Sequence, residues 1–179
     1  MSNRDDAEPE GSEPIRIIPF DPTIDRSTFA CGQVSVDAWF ATQAGRSDRV
    51  GAPRTFLAVR GRSVAGFYAS VVTQMGRDEV AEAFGIGKSR YPKPAVLLAQ
   101  LGVDRTEQGR GLGRVLLVHA LTSFLEASKL VGFEVVLVDA LSSEVCAFYR
   151  KMGFTSLEDH PLRLFMTVKA LRATFDSID

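Results

Sequence analysis

The chain reads as an α/β protein with a mixed sheet, and three observations predict it. Apolar runs and helical periodicities come in the order strand, helix, three strands, long helix, strand, helix, two strands. An apolar run, Val96-Leu97-Leu98-Ala99 with Leu101 and Val103 beyond it, passes through a polar turn and a cluster of glycines into a long helical pattern. A second run, Glu134 to Ala140, is mostly apolar, as a buried strand is.

Composition bounds the function classes. The 179 residues, 45% hydrophobic and 24% charged, suffice for one globular domain with a sizeable core. A formal net charge of −1 gives no global basic field of the kind that announces a nucleic-acid partner. Two cysteines, Cys31 and Cys146, are too few for a disulfide framework and suit a reducing cytoplasm. No apolar run reaches the roughly eighteen residues of a membrane span. The acidic start is unlike a signal peptide.

Three segments are expected. Residues 1–14 (MSNRDDAEPEGSEP) form an acidic tail too polar to order itself. Residues 15–169 form the folded domain, and 170–179 a C-terminal extension, helical or frayed. Ile15 to Phe20 is a short strand whose Pro19 marks its end or a sheet edge. Ser35 is expected to cap a helix in which Val36, Trp39 and Phe40 share one apolar face. Thr42 to Pro53 is polar and carries Arg46 and Arg49, with Arg54 just beyond. Thr55 to Val59 and Ser63 to Val72 read as a hairpin, with Gly66 marking a bulge or a close backbone approach.

Thr73 to Pro94 is a long connection with a short helical pattern at Glu79, Val80, Ala83 and Phe84. Connections of this length are unusual without a task. Lys88, Arg90 and Lys93 with Tyr91 make a basic, aromatic cluster, either an ordinary solvated loop or a contact for an anionic acceptor such as RNA. Gly113 to Val131 is the long helix, with Leu117, Leu121, Phe124 and Leu125 on its apolar face and Gly132 at its stop. Ser142 or Ser143 caps a helix carrying Val145, Phe148, Tyr149 and Met152, which Gly153 ends. Phe154 to Leu157 and Leu162 to Val168 are the last strands, joined by a turn at Asp159-His160-Pro161.

Strand, glycine-rich turn and helix together make an anion site. Amides at a helix start point outward unbonded, and the helix dipole favours negative charge there. Around Gln108-Gly109-Arg110-Gly111-Leu112-Gly113-Arg114, Arg110 and Arg114 add positive charge. The dinucleotide pattern fails because its last glycine position holds Arg114. The nucleoside-triphosphate loop fails because the glycine needed before Gly87-Lys88-Ser89 is Glu82. Taken by itself, a glycine-rich turn before a helix can be only a turn.

What remains is Gln-x-x-Gly-x-Gly at Gln108, Gly111 and Gly113, after a strand ending Gly102-Val103-Asp104. This resembles the acetyl-CoA-binding segment of the GCN5-related N-acetyltransferases, the GNAT superfamily. A second string, Ala147-Phe148-Tyr149-Arg150-Lys151-Met152-Gly153-Phe154, is similar to that family's A-x-x-F-Y-x-x-x-G-F. The resemblance covers Ile15 to about Lys169. It implies a mixed, mostly antiparallel central sheet flanked by helices. It also implies acetyl-CoA as cosubstrate, held by Leu101, Val103, Gln108, Gly109, Arg110, Gly111, Leu112, Gly113 and Arg114. Cys31-Gly32 followed by the Asp37-x-Trp39 helix resembles one GNAT subgroup, the acetyltransferase toxins of toxin–antitoxin pairs. Val36 and Phe40 stand where leucines are common. The subgroup implies a toxin that acetylates the α-amine of aminoacyl-tRNA and blocks translation, a small DNA-binding antitoxin partner, a homodimer and a cytoplasmic setting.

Acetyl transfer to an amine requires a neutral amine, a donor to the developing oxyanion and a proton for the leaving thiolate. By spacing alone Tyr149 is a packed aromatic; by the resemblance it is the catalytic acid, and a phenol with a pKa of about 10 carries its proton at neutral pH. Among Glu79, Glu134 and Asp139 no general base stands out, and His119 and His160 lack metal-ligand spacing, so no metal is expected. An α-amine, with a pKa near 7.7–8.0, needs a base less than a Lys amine does. Arg46, Arg49, Lys88, Arg90 and Lys93 are the candidate RNA contacts. Two rival expectations stand beside this one: a GNAT enzyme acting on a small amine or a protein N-terminus, and a non-catalytic CoA-binding module. Aminoacyl preference is not legible.

Overall fold

The computed structural model describes residues 13–176. The expected tail lies almost wholly outside that range, as do 177–179. Among the described residues, seven strands and six helices follow the order β1 (Arg16–Pro19), α1 (Val34–Thr42), α2 (Ala44–Val50), β2 (Arg54–Arg60), β3 (Ser63–Met75), α3 (Arg77–Ala83), β4 (Lys93–Val103), α4 (Leu112–Ala127), β5 (Val135–Asp139), α5 (Ser143–Lys151), β6 (Thr155–Ser156), β7 (Arg163–Thr167) and α6 (Val168–Asp176). The strands form one sheet in the order β1-β2-β3-β4-β5-β7-β6. β1 runs antiparallel to β2, β5 to β7 and β7 to β6, whereas β4 and β5 are parallel. The α/β class and the mostly antiparallel sheet are as the sequence predicts.

Contacts divide the chain into two compact units. The first comprises the described residues up to Ala69 with Gln100–Leu116. Its core gathers Phe20, Val36, Phe40, Ala44, Leu57, Val59, Val64 and Phe67, with Phe29 and Trp39 packed against it. The Phe40 and Phe67 rings stack 4.1 Å apart. Pro19 ends β1, the edge strand, where its missing N–H leaves no ladder bond unmade. A Cβ on Gly66 would lie 2.9 Å from the Gly102 carbonyl oxygen, so Gly66 marks the close backbone approach that its place in a strand suggested.

Two local expectations of this unit change. The helix cap is Gln33, not Ser35, because the Asp37 carboxylate accepts the amides of Cys31 (2.8 Å) and Gly32 (3.2 Å) and turns the chain into the helix earlier. The polar stretch after Thr42 contains α2. Its buried face is only Ala44 and Ser47, too narrow to register as apolar periodicity, and Gly51 ends it in a left-handed conformation at φ 82°.

The second unit comprises Ser70–Ala99 and Leu117–Asp179. Met75, Val80, Ala95, Val135, Leu137 and Leu157 form its core, with Leu97 and Phe165 against it. β3 extends to Met75, so the long connection starts only at Gly76, whose amide donates to Glu79 Oε2 at 2.8 Å to begin α3. α4 ends at Ala127 rather than Val131: Leu130 and Val131 are exposed, and without an apolar face to bury the last turn unwinds. Ser142 caps α5 by accepting the Val145 amide at 3.3 Å. The C-terminal extension is helical through Asp176. Among the described residues no helix is long and apolar enough to cross a membrane.

Candidate functional site

The polar turn after β4 is fastened on three sides. The Asp104 amide donates to Ala65 O (2.9 Å), and the Arg105 amide to Ala30 O (3.0 Å). One Asp104 carboxylate oxygen accepts the Ala30 amide at 3.0 Å; the other accepts the Thr106 amide (2.9 Å) and hydroxyl (2.6 Å). Burial pushes this carboxyl up, but the Thr106 hydroxyl and the Ala30 and Thr106 amides outweigh it, and its pKa falls below the ordinary value. Glu107 is buried and takes the Arg60 guanidinium in a fork, 2.8 and 3.2 Å, with Arg110 Nη1 at 3.6 Å. This pairing joins residues far apart in sequence, and no local motif announces it.

The Gln108 side chain is engaged within the protein. Its side-chain amide nitrogen donates to Val103 O (2.9 Å) and Cys31 O (2.8 Å). It therefore staples the end of β4 to the Cys31-Gly32 turn, which Asp37 holds from the other side. The Cys31 thiol, half-buried beside that carboxylate, is pushed up to about 11, burial being the larger cause. The two sequence strings that carry the resemblance in this unit are thus one hydrogen-bonded assembly.

Beyond Gln108 the backbone opens. Gly109 and Gly111 have φ of 77° and 83°, and a Cβ built on either meets nothing within 4 Å. The Arg114 and Val115 amides donate to Gly111 O at 3.1 and 3.2 Å, so the Leu112 and Gly113 amides precede the first bond of α4. Arg110 and Arg114 are exposed around this turn, whereas the Arg105 guanidinium lies against Gly32 and beside Asp37. Open glycines, a helix start and the guanidiniums of Arg110 and Arg114 fit a pyrophosphate. The parallel register of β4 with β5 runs from Ala95–Val135 to Leu98–Val138, and β4 continues to Val103 through Leu101. β5 itself ends at Asp139, one residue after its last partner.

In the second unit, Tyr149 sits on α5, 6% exposed, edge-on to Phe148 (5.1 Å) and Phe154 (5.7 Å). Burial pushes its phenol pKa well above the usual 10, so the proton stays on. The three carboxylates weighed as bases are all in ion pairs: Glu134 with Lys93, and Glu79 (3.1 Å) and Asp139 (3.6 Å) with Arg163. Burial lowers the pKa of His119, and His160 is exposed in its turn. Among the described residues no cluster could hold a metal.

The candidate RNA contacts fall into two groups. Arg46 and Arg49 are exposed on α2. Lys88 and Arg90 are exposed in the loop before β4, whereas Lys93 is engaged: its ammonium pairs with Glu134 and lies 4.9 Å from the Phe84 ring centroid.

Residues 53–156 match the family model described as an acetyltransferase (GNAT) domain. The chain belongs to the GNAT acetyltransferase family. Over 90% of its length this acetyltransferase is 36% identical to a tRNA-acetylating toxin of Mycobacterium tuberculosis, covering 95% of that protein. It is 30% identical to a probable TacT toxin of Sinorhizobium fredii, over 88% of this chain and 94% of that one. Among solved structures, the toxin AtaT complexed with acetyl-methionyl-tRNAfMet superposes with a TM-score of 0.79, at 26% identity, covering 90% of this chain and 99% of AtaT. A tyrosine-to-phenylalanine mutant of AtaT has been solved with acetyl-CoA and the C-terminus of the antitoxin AtaR, with a TM-score of 0.78 to this chain at 26% identity, over 90% of this chain and 98% of that one.

Proposed function

We propose that this acetyltransferase is a toxin that transfers the acetyl group of acetyl-CoA to the α-amine of aminoacyl-tRNA and so blocks translation. The observation that carries the reading is the match to a tRNA-acetylating toxin along nearly the whole of both chains. The chemistry of the residues supports it. Open amides at Gly109, Gly111, Leu112 and Gly113, with Arg110 and Arg114, hold the pyrophosphate. Amides of β4 from Leu101 to Val103, beyond its ladder with β5, pair with pantetheine and polarise the thioester carbonyl. Tyr149 keeps its proton over the working pH range and gives it to the leaving thiolate. Glu79, Glu134 and Asp139 are engaged in ion pairs, so an acceptor already partly neutral near pH 7.7–8.0 suits the site better than a Lys amine.

Arg46 and Arg49, with Lys88 and Arg90, are the phosphate contacts of the RNA. Gln108 acts as a positioning residue for the loop. The protein works in the cytoplasm as a homodimer, and a small DNA-binding antitoxin neutralises it. The test is transfer of radiolabel from acetyl-CoA to bulk charged tRNA, with uncharged tRNA as control. Label on charged tRNA alone supports the reading. Label on free amines, indifferent to added tRNA, refutes it.

A further inference from the structure

The loop between α3 and β4 carries, beside Lys88 and Arg90, an exposed ring that the proposed function leaves without a role. From Gly85 to Pro92 it reads Gly-Ile-Gly-Lys-Ser-Arg-Tyr-Pro, with cations and no carboxylate, in a chain whose formal net charge is −1. Both ends of the loop are fixed. The Phe84 amide donates to Val80 O at 3.0 Å and the Ile86 amide to Ala81 O at 2.9 Å. At the far end Lys93 is held by Glu134 and by the face of Phe84. Between them the Ser89 hydroxyl donates to Tyr91 O at 2.8 Å, and Pro92 restrains Tyr91 to extended backbone.

The product is a presented ring. Tyr91 is 72% exposed. Lys88 and Arg90 beside it are exposed and make no ion pair among the described residues. An exposed aromatic face with free cations in the same short loop suits an unpaired nucleotide: the base stacks on the ring and the phosphates meet the charges. A duplex keeps its bases stacked internally and offers the ring nothing. An acidic protein segment would satisfy the cations but leave the ring unused.

Building on the tRNA reading, we propose that Gly85–Pro92 grips the unpaired 3′ end of the acceptor RNA, with a base stacked on Tyr91 and phosphates on Lys88 and Arg90. Lys93 takes no part, because its ammonium is engaged.

Two arms test this in the full-length protein. In the first, Tyr91→Trp fluorescence is titrated with a short unpaired RNA of the tRNA 3′-end sequence. A blunt RNA duplex and polyglutamate serve as controls, and the wild-type protein supplies the Trp39 background. Saturable quenching by the unpaired RNA, weakened by salt and absent with both controls, is the expected result. No quenching, or equal quenching by polyglutamate, overturns the proposal. In the second, Tyr91→Ala should raise KM for charged tRNA about tenfold, the effect of losing one base–aromatic stack. In that variant kcat and the KM for acetyl-CoA should hold, and Tyr91→Phe should behave as wild type. An unchanged KM for charged tRNA in Tyr91→Ala overturns the proposal. If wild type acetylates no tRNA, the acceptor reading falls, while the first arm still decides the binding surface.

Discussion

A single phenol carries the sharpest chemical expectation. Tyr149 is buried against two aromatic rings, and the same burial that packs it holds its proton on. The sequence left two readings of this residue, packed aromatic or acid, and the structure makes them compatible. Tyr149→Phe keeps the ring and deletes only the hydroxyl. Stopped assays should show kcat lower by about a hundredfold or more, with KM for acetyl-CoA little changed and the thermal midpoint preserved. The pH profile carries a sign. A raised phenol pKa means the acid form persists above the ordinary value of about 10. The rate should rise as the acceptor amine loses its proton, up to about pH 8, and then stay level rather than fall. A descending limb between pH 8 and 10 would show the acid titrating and would remove Tyr149 from that role. Spacing showed where this residue sits; its depth in the core depends on Phe154, which lies past the helix.

At the scale of the element, the loop from Asp104 to Gly111 is a rigid turn with an open rim. Its glycines were legible because positive φ restricts residue choice. Gly111→Ala would force φ 83° on a residue with a Cβ, a strain of about 1–2 kcal/mol although the added atom meets open space. Isothermal titration should show weaker acetyl-CoA binding in that variant, with the thermal midpoint lowered only slightly. The fastening of the loop was not legible. Arg60 with Glu107, and Asp104 with Ala30, are partners from distant parts of the chain. Gln108 was legible as a motif residue; the bonds of its side-chain amide to two backbone carbonyls were not. Gln108→Ala should therefore raise KM for acetyl-CoA and lower the thermal midpoint together. A rise in KM with the midpoint intact would make Gln108 a direct ligand instead. The same logic explains the missed α2: its buried face is two small residues, and its stop signal, Gly51, lies in a stretch that reads as polar loop.

For the whole molecule, the proposed function requires a chain of net charge −1 to hold a polyanion. Local patches suffice, because counterions are released at each phosphate contact whatever the global charge. Affinity for tRNA should fall steeply with salt. Replacing both Arg46 and Arg49 by Ala should reduce the slope of log K against log salt by about 2, near one unit per contact. A slope unchanged in that variant would take α2 out of the interface. Apart from α2, the order of strands and helices was legible, since the apolar runs are long and the glycines punctuate them. The acceptor was legible only through resemblance, because no residue pattern spells out an amine. The decisive measurement follows from that gap. Charged tRNA is labelled with radioactive acetyl-CoA and the enzyme, its ester bond is opened with mild alkali, and the released label is separated. Recovery of the label as an N-acetylated amino acid is the predicted result. Label that stays with the RNA, or no label at all, would contradict transfer to the α-amine.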